Sequence, residues 1–152
     1  MDEIVARSMA RWPDVPAVYG WLQLDRRGNW RIKGERIANQ ALREFIARNY
    51  QVDARGCWFF QNGPQRVFVE LAYTPLVVHF EGQALFDHCA RPFPPKRFLQ
   101  DDEGSVLAEG ESAIALLDDR DLQQFAERAG PLADILRADV ARRFGFVAAP
   151  RP

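Results

Sequence analysis

Residues 56–80 read GCWFFQNGPQRVFVELAYTPLVVHF and hold the densest run of strand-forming residues in the chain. Residues 57–61 and 66–72 are rich in aromatic and β-branched side chains, which suit a pleated sheet. Between them, Asn62-Gly63-Pro64 combines two residues that tolerate positive φ with a proline that cannot donate a backbone hydrogen bond. The pattern predicts a β-hairpin with its loop at residues 62–65.

The second strand of this hairpin is mainly apolar on both faces, from Val67 to Ala72. Two apolar faces are typical of a central strand that is covered on both sides. After the bend at Thr74-Pro75, residues 76–80 are predicted to continue the same sheet as a third strand.

Helices and further strands are predicted on both sides of this segment. The clearest helix covers residues 36–50, where apolar residues recur at helical spacing, and a short helix precedes Pro13. The remaining predicted elements are a hairpin of residues 18–24 and 29–33, a return strand at 84–86, a hairpin of 97–100 and 105–109, a strand at 113–117, a helix capped by Asp118 or Asp119 that ends near Ala129, and a last helix that begins at Pro131.

These elements predict an α+β fold, with an antiparallel sheet of meandering hairpins packed by one early helix and two C-terminal helices. A length of 152 residues fits a single domain spanning 1–152. The proline-rich segment at 91–96 is an internal boundary, because it is unsuited to regular structure. It separates an N-terminal ββαβββ part from a C-terminal hairpin plus two helices.

The charge is balanced overall but unevenly spread. The formal net charge is −1, with 11 basic against 7 acidic residues in 1–66 and 9 against 14 in 67–152. This asymmetry is compatible with a homo-oligomer, and the overall balance gives no support for nucleic acid as a partner.

The chain has no apolar run of the ~18 residues that a membrane span needs, and its two cysteines fit a reducing compartment. The first residues, MDEIVARSMARWP, lack the pattern of a signal peptide. We therefore expect a cytoplasmic protein.

The chain lacks the sequence motifs of most catalytic classes. The hydroxyl residues are Ser8, Thr74, Ser105 and Ser112, and no serine stands in the G-x-S-x-G turn of many hydrolases. Glycine-rich phosphate loops are also missing. We expect no cofactor, and the acidic groups at 101–103 and 118–121 are interpreted as turns and caps rather than metal ligands.

Both histidines and both cysteines fall within residues 57–89, as Cys57, His79, His88 and Cys89. Their spacing does not follow zinc-ligand patterns, so no metal site is predicted and Cys57 is interpreted as a small buried hydrophobe. A Cys89–His79 nucleophile pair remains an alternative.

Two polar loops are the candidate binding sites. The loop at 61–66 is rich in hydrogen-bonding groups suited to a carboxylate or a peptide backbone, and its candidate residues are Gln61, Asn62, Gln65 and Arg66. In the second loop, Asp87, His88 and Arg91 form a polar cluster in which an exposed histidine would titrate near neutrality. The alternative for both loops is a turn whose side chains satisfy its own backbone.

A basic aromatic hairpin is a third candidate, for single-stranded nucleic acid. Aromatic rings for stacking and cations for phosphate build such platforms, and the residues are Trp21, Arg26, Arg27, Trp30, Arg31, Lys33 and Arg36. The alternative is that the tryptophans belong to the core.

The segments GNWRIKGE (28–35) and FQNGPQRV (60–67) resemble a family of uncharacterised proteobacterial proteins, a domain of unknown function. The resemblance implies a bacterial cytoplasmic protein of α+β type and brings no activity, ligand or catalytic residue. The leading hypothesis is a small non-enzymatic interaction or binding module with an unknown protein or small-molecule partner. The alternatives are a small-molecule binder or enzyme that uses His79, His88 and Cys89, and a nucleic-acid-associated protein.

Overall fold

A computed structural model describes residues 1–128 and 130–152 of the protein. These residues form two compact units, each built on one six-stranded sheet. The first unit comprises Met1–Asp25, Asn29–Ala72 and Phe146–Pro152, and the second comprises Arg26–Gly28 and Tyr73–Gly145. Residues 91–96 lie inside the second unit, and the organisation as one domain with a boundary there stays a prediction.

The first sheet has the strand order β3-β2-β1-β6-β5-β4. Its strands are β1 (Val18–Leu24), β2 (Trp30–Ile32), β3 (Glu35–Arg36), β4 (Tyr50–Val52), β5 (Trp58–Asn62) and β6 (Gln65–Leu71). The hairpins β1–β2 and β5–β6 form as their turn residues predict. β6 lies between β5 and a parallel partner, β1, which is the central position that its two apolar faces indicate.

The turn of the β5–β6 hairpin is shorter than the predicted loop. Asn62 and Gln65 are the last paired residues, so only Gly63 and Pro64 lie between the strands. Gly63 has a φ of 58°, a conformation that costs glycine little. Proline fits beside it because its missing donor is not needed in the turn.

Two helices belong to the first unit, α1 (Glu3–Arg11) and α2 (Gln40–Arg48). The Asn39 side chain caps α2 by accepting a hydrogen bond from the backbone N–H of Leu42. Ile46 is buried, and the ring of Phe45 meets Phe60 of β5 edge-on at 5.5 Å between centroids. α2 therefore covers the first sheet, as its apolar stripe predicts.

The second sheet has the order β12-β9-β10-β11-β7-β8. Its strands are β7 (Leu76–Glu81), β8 (Ala84–Asp87), β9 (Arg97–Asp101), β10 (Val106–Glu109), β11 (Ile114–Leu117) and β12 (Leu132–Ile135). The helices are α3 (Leu122–Arg128) and α4 (Arg137–Phe144). Asp118 caps the 3₁₀ turn before α3 by accepting from the backbone N–H of Arg120, while the predicted helix end at Ala129 lies outside the described residues.

The α+β class is confirmed, but both sheets are mixed rather than antiparallel. β1 pairs with β6, β7 with β11, and β9 with β12 in parallel. The described residues hold four α-helices, and the one beyond the predicted early and two C-terminal helices is α1, the short helix predicted before Pro13. None of these helices has the length and apolar character needed to cross a membrane.

Residues 76–80 form a strand as predicted, but the sheet assignment is wrong, because this strand pairs with β11 and β8 in the second sheet. Thr74 explains the change of sheet. Its buried hydroxyl donates to the carbonyl of Leu76 at 2.6 Å and accepts from the backbone N–H of Leu116 in β11 at 2.9 Å. These bonds attach the bend to a strand 42 residues away along the chain.

The predicted helix from Pro131 is wrong over its first turn. Residues Leu132–Ile135 form strand β12, with Ile135 buried and Leu132 exposed, and α4 begins only at Arg137. The apolar spacing of Leu132, Ile135 and Leu136 fits a helix, but the parallel ladder to β9 supplies backbone hydrogen bonds that override this weak local preference.

Candidate functional site

The loop at 61–66 uses its polar side chains within the first unit. Gln61 is 1% exposed, and its Nε2 donates to the carbonyl of Gly63 at 3.0 Å. Gln65 Nε2 donates to the carbonyl of Pro16 at 3.1 Å, and the Arg66 guanidinium lies 4.4 Å from the ring centre of Phe59. Gln61 Oε1 is buried without a hydrogen-bond partner among the described residues. The binding role of Gln61, Asn62, Gln65 and Arg66 stays a prediction.

The loop at 87–91 is built around a buried carboxylate. Asp87 Oδ1 accepts from the backbone N–H groups of Cys89 at 2.8 Å and Arg91 at 3.0 Å. His88 is half-buried, and its Nδ1 accepts from the backbone N–H of Val77 at 3.2 Å. Asp87 and His88 thus shape the loop that carries them, while a binding role for Asp87, His88 and Arg91 stays a prediction.

The cysteines and histidines lie in different surroundings, and the Cys89–His79 pair stays a prediction. Cys57 is buried with Phe59 and Phe68 in the first unit, which agrees with its interpretation as a small hydrophobe. Burial raises the pKa of the Cys89 thiol to about 12, so the nucleophilic thiolate is scarce at neutral pH. His79 Nε2 lies 3.2 Å from Glu81 Oε1 at the surface. Among the described residues, no three His, Cys, Asp or Glu side chains are placed to hold a metal ion.

The basic aromatic hairpin is only partly a surface. Trp30 is 3% exposed and meets the ring of Tyr50 edge-on. Trp21 is 50% exposed, with the Lys33 ammonium 4.7 Å from its ring centre. Arg31 is engaged by Asp25, to which its Nε donates at 2.9 Å.

The other arginines of that hairpin differ in their surroundings. Arg36 is exposed on β3. Arg26 and Arg27 belong to the second unit, where Arg26 donates to the Ser105 hydroxyl and Arg27 forms an ion pair with Asp119.

A pocket of about 280 Å³ lies in the second unit, and none of the predicted site residues lines it. We call it the phenylalanine pocket. Its lining residues are Gln83, Ala84, Leu85, Phe86, Pro92, Phe93, Pro94, Pro95, Phe98 and Arg128. They come from the turn before β8, from β8 itself, from the segment after it, from β9 and from the end of α3.

Strands that are not neighbours in the second sheet contribute to this pocket. Three strands separate β8 from β9 in the sheet order, yet residues of both line it. α3 packs beside β9, with the ring of Phe125 centred 4.8 Å from that of Phe98.

Phe93 fixes one wall of the pocket. Its backbone N–H donates to the carbonyl of Leu85 at 2.9 Å, which attaches the proline-rich segment to β8. Its ring packs against Gly110, where an added Cβ would lie 2.7 Å from Phe93 Cζ. Glycine at position 110 is therefore required for this placement of the ring.

Arg128 forms the polar edge of the pocket. Its Nη1 donates to the carbonyl of Gln83 at 2.9 Å, and its guanidinium lies 4.7 Å from the ring centre of Phe80. One helical turn earlier, Gln124 Nε2 donates to the carbonyl of Gly82 at 2.7 Å. The two side chains hold α3 on the turn between β7 and β8.

A second cleft of about 320 Å³ is lined by Gln100, Asp101, Asp102, Asp134, Ile135 and Leu136. Asp101 accepts from the Tyr73 hydroxyl and two backbone N–H groups, and Asp102 accepts from the backbone N–H of Arg137. Two of its three carboxylates are thus already engaged. A third cavity beside Arg26 and Ser105 measures about 60 Å³, room for about two water molecules. The phenylalanine pocket is the better candidate despite being slightly smaller than the cleft.

Sequence reasoning missed this pocket because its parts carry no recognisable motif. Phe86, Phe93 and Phe98 have the pattern of core residues, and the prolines indicate a boundary. The signal available was the sequence RPFPPKRF at 91–98, where prolines that cannot complete a sheet alternate with large aromatic residues.

The model of the family described as "Protein of unknown function (DUF2946)" matches residues 1–151. The chain belongs to this family. The match confirms the resemblance to an uncharacterised protein family, and the DUF2946 family is itself one of unknown function. No curated protein matches this DUF2946 family member.

Two solved structures are similar to this DUF2946 family member. A DUF1285 family protein from Silicibacter pomeroyi DSS-3 is 14% identical, with a TM-score of 0.56 over 84% of each chain. A DUF1285 family protein from Shewanella baltica OS155 is 15% identical, with a TM-score of 0.54 over 72% of this chain and 92% of that one. At these identities the likeness shows the fold, and no site is transferred from either protein.

Proposed function

We propose that this protein is a non-catalytic binding module and that the phenylalanine pocket holds a small, mainly apolar ligand. The observation that carries the proposal is the lining: three phenylalanines, three prolines and a leucine enclose about 280 Å³ beside one charged side chain. Ligand sites in proteins are commonly concave and apolar, with a few polar groups that orient the ligand. The volume suits a single ring or a short chain rather than a nucleotide.

The chemistry of the lining favours binding over catalysis. The described residues around the pocket are Gln, Ala, Leu, Phe, Pro and Arg, and none of them is a nucleophile or a general base at neutral pH. Cys89 and both histidines lie outside the lining. A ligand held there would meet orienting groups but no group that attacks it.

The test is a titration of the protein with 3-phenylpropanol, followed by ¹H–¹⁵N correlation spectra. We expect saturable shifts of the amides of Leu85, Phe86, Phe93 and Phe98, because a ring in the pocket would lie against these residues. A titration without saturable shifts at these amides would contradict the proposal.

A pocket-filling variant and its control make the test specific. Ala84 is exposed at the pocket, so Ala84→Trp is expected to occupy the space and abolish the shifts. Ala54 is an exposed residue in a turn of the first unit, and Ala54→Trp is expected to leave binding unchanged. Retained binding in Ala84→Trp would place the ligand elsewhere.

We also propose that the protein acts in the cytoplasm. Support comes from its cysteines: Cys57 and Cys89 are both free thiols. Free thiols persist in reducing compartments. Fractionation of cells that produce the tagged protein tests this location, and recovery outside the cytoplasm would contradict it.

A further inference from the structure

The guanidinium of Arg128 is positioned at the edge of an apolar pocket by two contacts. Arg128 Nη1 donates a hydrogen bond to the carbonyl of Gln83, and the guanidinium lies over the ring of Phe80. Each contact uses a neutral group, so neither cancels the charge. The side chain retains further N–H donors beyond the one that the Gln83 carbonyl accepts.

Five other arginines of the second unit are paired with carboxylates. Such ion pairs join Arg27 to Asp119, Arg97 to Glu109, Arg120 to Asp118, Arg137 to Glu103 and Arg142 to Asp139. Among the described residues, Arg128 has no carboxylate partner within 4.0 Å, and no Asp or Glu lines the phenylalanine pocket. The pocket therefore combines apolar walls with one unneutralised positive charge.

We propose that the ligand of this pocket is a small aromatic or aliphatic carboxylate whose acid group binds Arg128. This inference rests on the proposed function and names its ligand class. The apolar part lies between Phe86, Phe93 and Phe98, and the carboxylate accepts hydrogen bonds from the guanidinium. Arginine presents parallel N–H donors that match the two oxygens of a carboxylate, and charged hydrogen bonds are stronger than neutral ones.

The charge of Arg128 provides the discrimination. Arg128 is exposed at the edge of the pocket, and its guanidinium lies 4.7 Å from the ring centre of Phe80. An alcohol of the same shape accepts a hydrogen bond from the guanidinium but carries no opposite charge and has only one oxygen. Because the carboxylate adds the attraction of opposite charges and a second parallel hydrogen bond, we expect the acid to bind roughly tenfold more tightly or better.

The experiment compares 3-phenylpropanoate with 3-phenylpropanol by the same amide titration at pH 7, on the full chain. We expect the acid to bind at least roughly tenfold more tightly than the alcohol and both to shift the pocket amides. Arg128→Gln is expected to remove the preference while leaving the binding of the alcohol. Arg128→Lys keeps the positive charge but lacks the planar, parallel N–H donors of arginine. We expect it to show part of the preference that Arg128→Gln loses.

Arg142→Gln is the matched control, since Arg142 pairs with Asp139 at the surface and its side chain is 81% exposed. We expect this variant to keep the full preference for the acid. Thermal unfolding of each variant identifies any loss of fold, and Arg128→Lys tests the inference if Arg128→Gln unfolds.

The outcomes separate the two proposals. Equal affinity of acid and alcohol for the pocket would overturn the carboxylate inference and leave the binding module in place. The inference would also be overturned if the acid bound more tightly than the alcohol and its affinity were not reduced by Arg128→Gln or by Arg128→Lys. If neither ligand shifts the pocket amides, both proposals are overturned.

Discussion

Two arginines lie over phenylalanine rings in the two units, and their surroundings give them different roles. Arg66 lies 4.4 Å from the ring centre of Phe59, and Arg128 lies 4.7 Å from that of Phe80. Phe59 is 2% exposed and belongs to a packed aromatic cluster, whereas Arg128 borders a pocket. The same pair of residue types closes a core in one unit and borders an open space in the other.

This difference shows why a contact does not define a site. A cation over a ring contributes a similar small energy in both places, on the order of 0.5–1 kcal/mol at an exposed position. Only the second arginine has volume beside it for a ligand. The following predictions test whether the first pair is structural and the second functional.

Removal of Phe59 is expected to have the largest effect on stability. Phe59→Ala should lower the free energy of unfolding by about 3–5 kcal/mol, because the ring packs against Cys57 and Phe68 in a closed cluster. Chemical denaturation followed by circular dichroism measures this loss. A loss below about 1 kcal/mol would mean that the cluster is not closely packed.

Gly110→Ala is expected to cost about 1–3 kcal/mol and to change the pocket, because the new Cβ would overlap the ring of Phe93. Denaturation measures the first effect, and the titration with 3-phenylpropanol measures the second. Gly130 is the control, since a Cβ there meets nothing within 4 Å. Unchanged binding in Gly110→Ala would show that Phe93 is not a wall of the ligand site.

Phe80→Ala is expected to cost about 1 kcal/mol of stability, because the ring is only half-buried. Its effect on binding should be larger than its effect on stability, since Arg128 loses the ring that positions it. Isothermal titration with 3-phenylpropanoate tests this. Full retention of affinity would show that the Gln83 carbonyl alone holds Arg128.

Arg66→Gln is expected to have a small effect, a loss of under about 1 kcal/mol, and to leave ligand binding unchanged. Denaturation and titration under the same conditions as for Arg128→Gln give a direct comparison of the two arginines. Impaired ligand binding in Arg66→Gln would break the distinction between them.

The two thiols should show no labelling in the native protein. Burial raises the pKa of Cys57 and of Cys89, one in each unit, so both lack the reactive thiolate at pH 8. The reaction with 5,5′-dithiobis(2-nitrobenzoate) before and after denaturation measures this protection. Rapid labelling that disappears in Cys89→Ser would reveal that the second unit opens more readily than the first.

Local patterns predicted those parts of the fold that neighbouring residues determine. The hairpins with turns at Gly28 and Gly63 depend on a few adjacent residues, and they form as predicted. The helix predicted at residues 36–50 also forms, but it is shorter: it begins at Gln40, after the Asn39 cap, and ends at Arg48. The parallel pairings could not be predicted in this way. They depend on contacts between distant residues, such as the bond from Leu116 to the hydroxyl of Thr74.

The candidate site escaped prediction for a related reason. Sequence reasoning selected polar residues, yet Gln61 and Asp87 use their polar groups to complete the turns that carry them, and Gln65 donates to the distant carbonyl of Pro16. The pocket is formed by apolar residues that only the folded sheet brings together. Arg128 differs from the paired arginines in having no carboxylate partner among the described residues, and that difference exists only in three dimensions.

The proline-rich segment at 92–95 has a consequence for aggregation. It lies along β8, the edge strand of the second sheet, through the bridge of Pro92 to Phe86 and the bond from Phe93 to Leu85. An uncovered edge strand invites pairing with other chains. Prolines 92, 94 and 95 have no N–H to offer a further strand. The segment that forms a wall of the pocket therefore also opposes the addition of another strand at the β8 edge of the sheet.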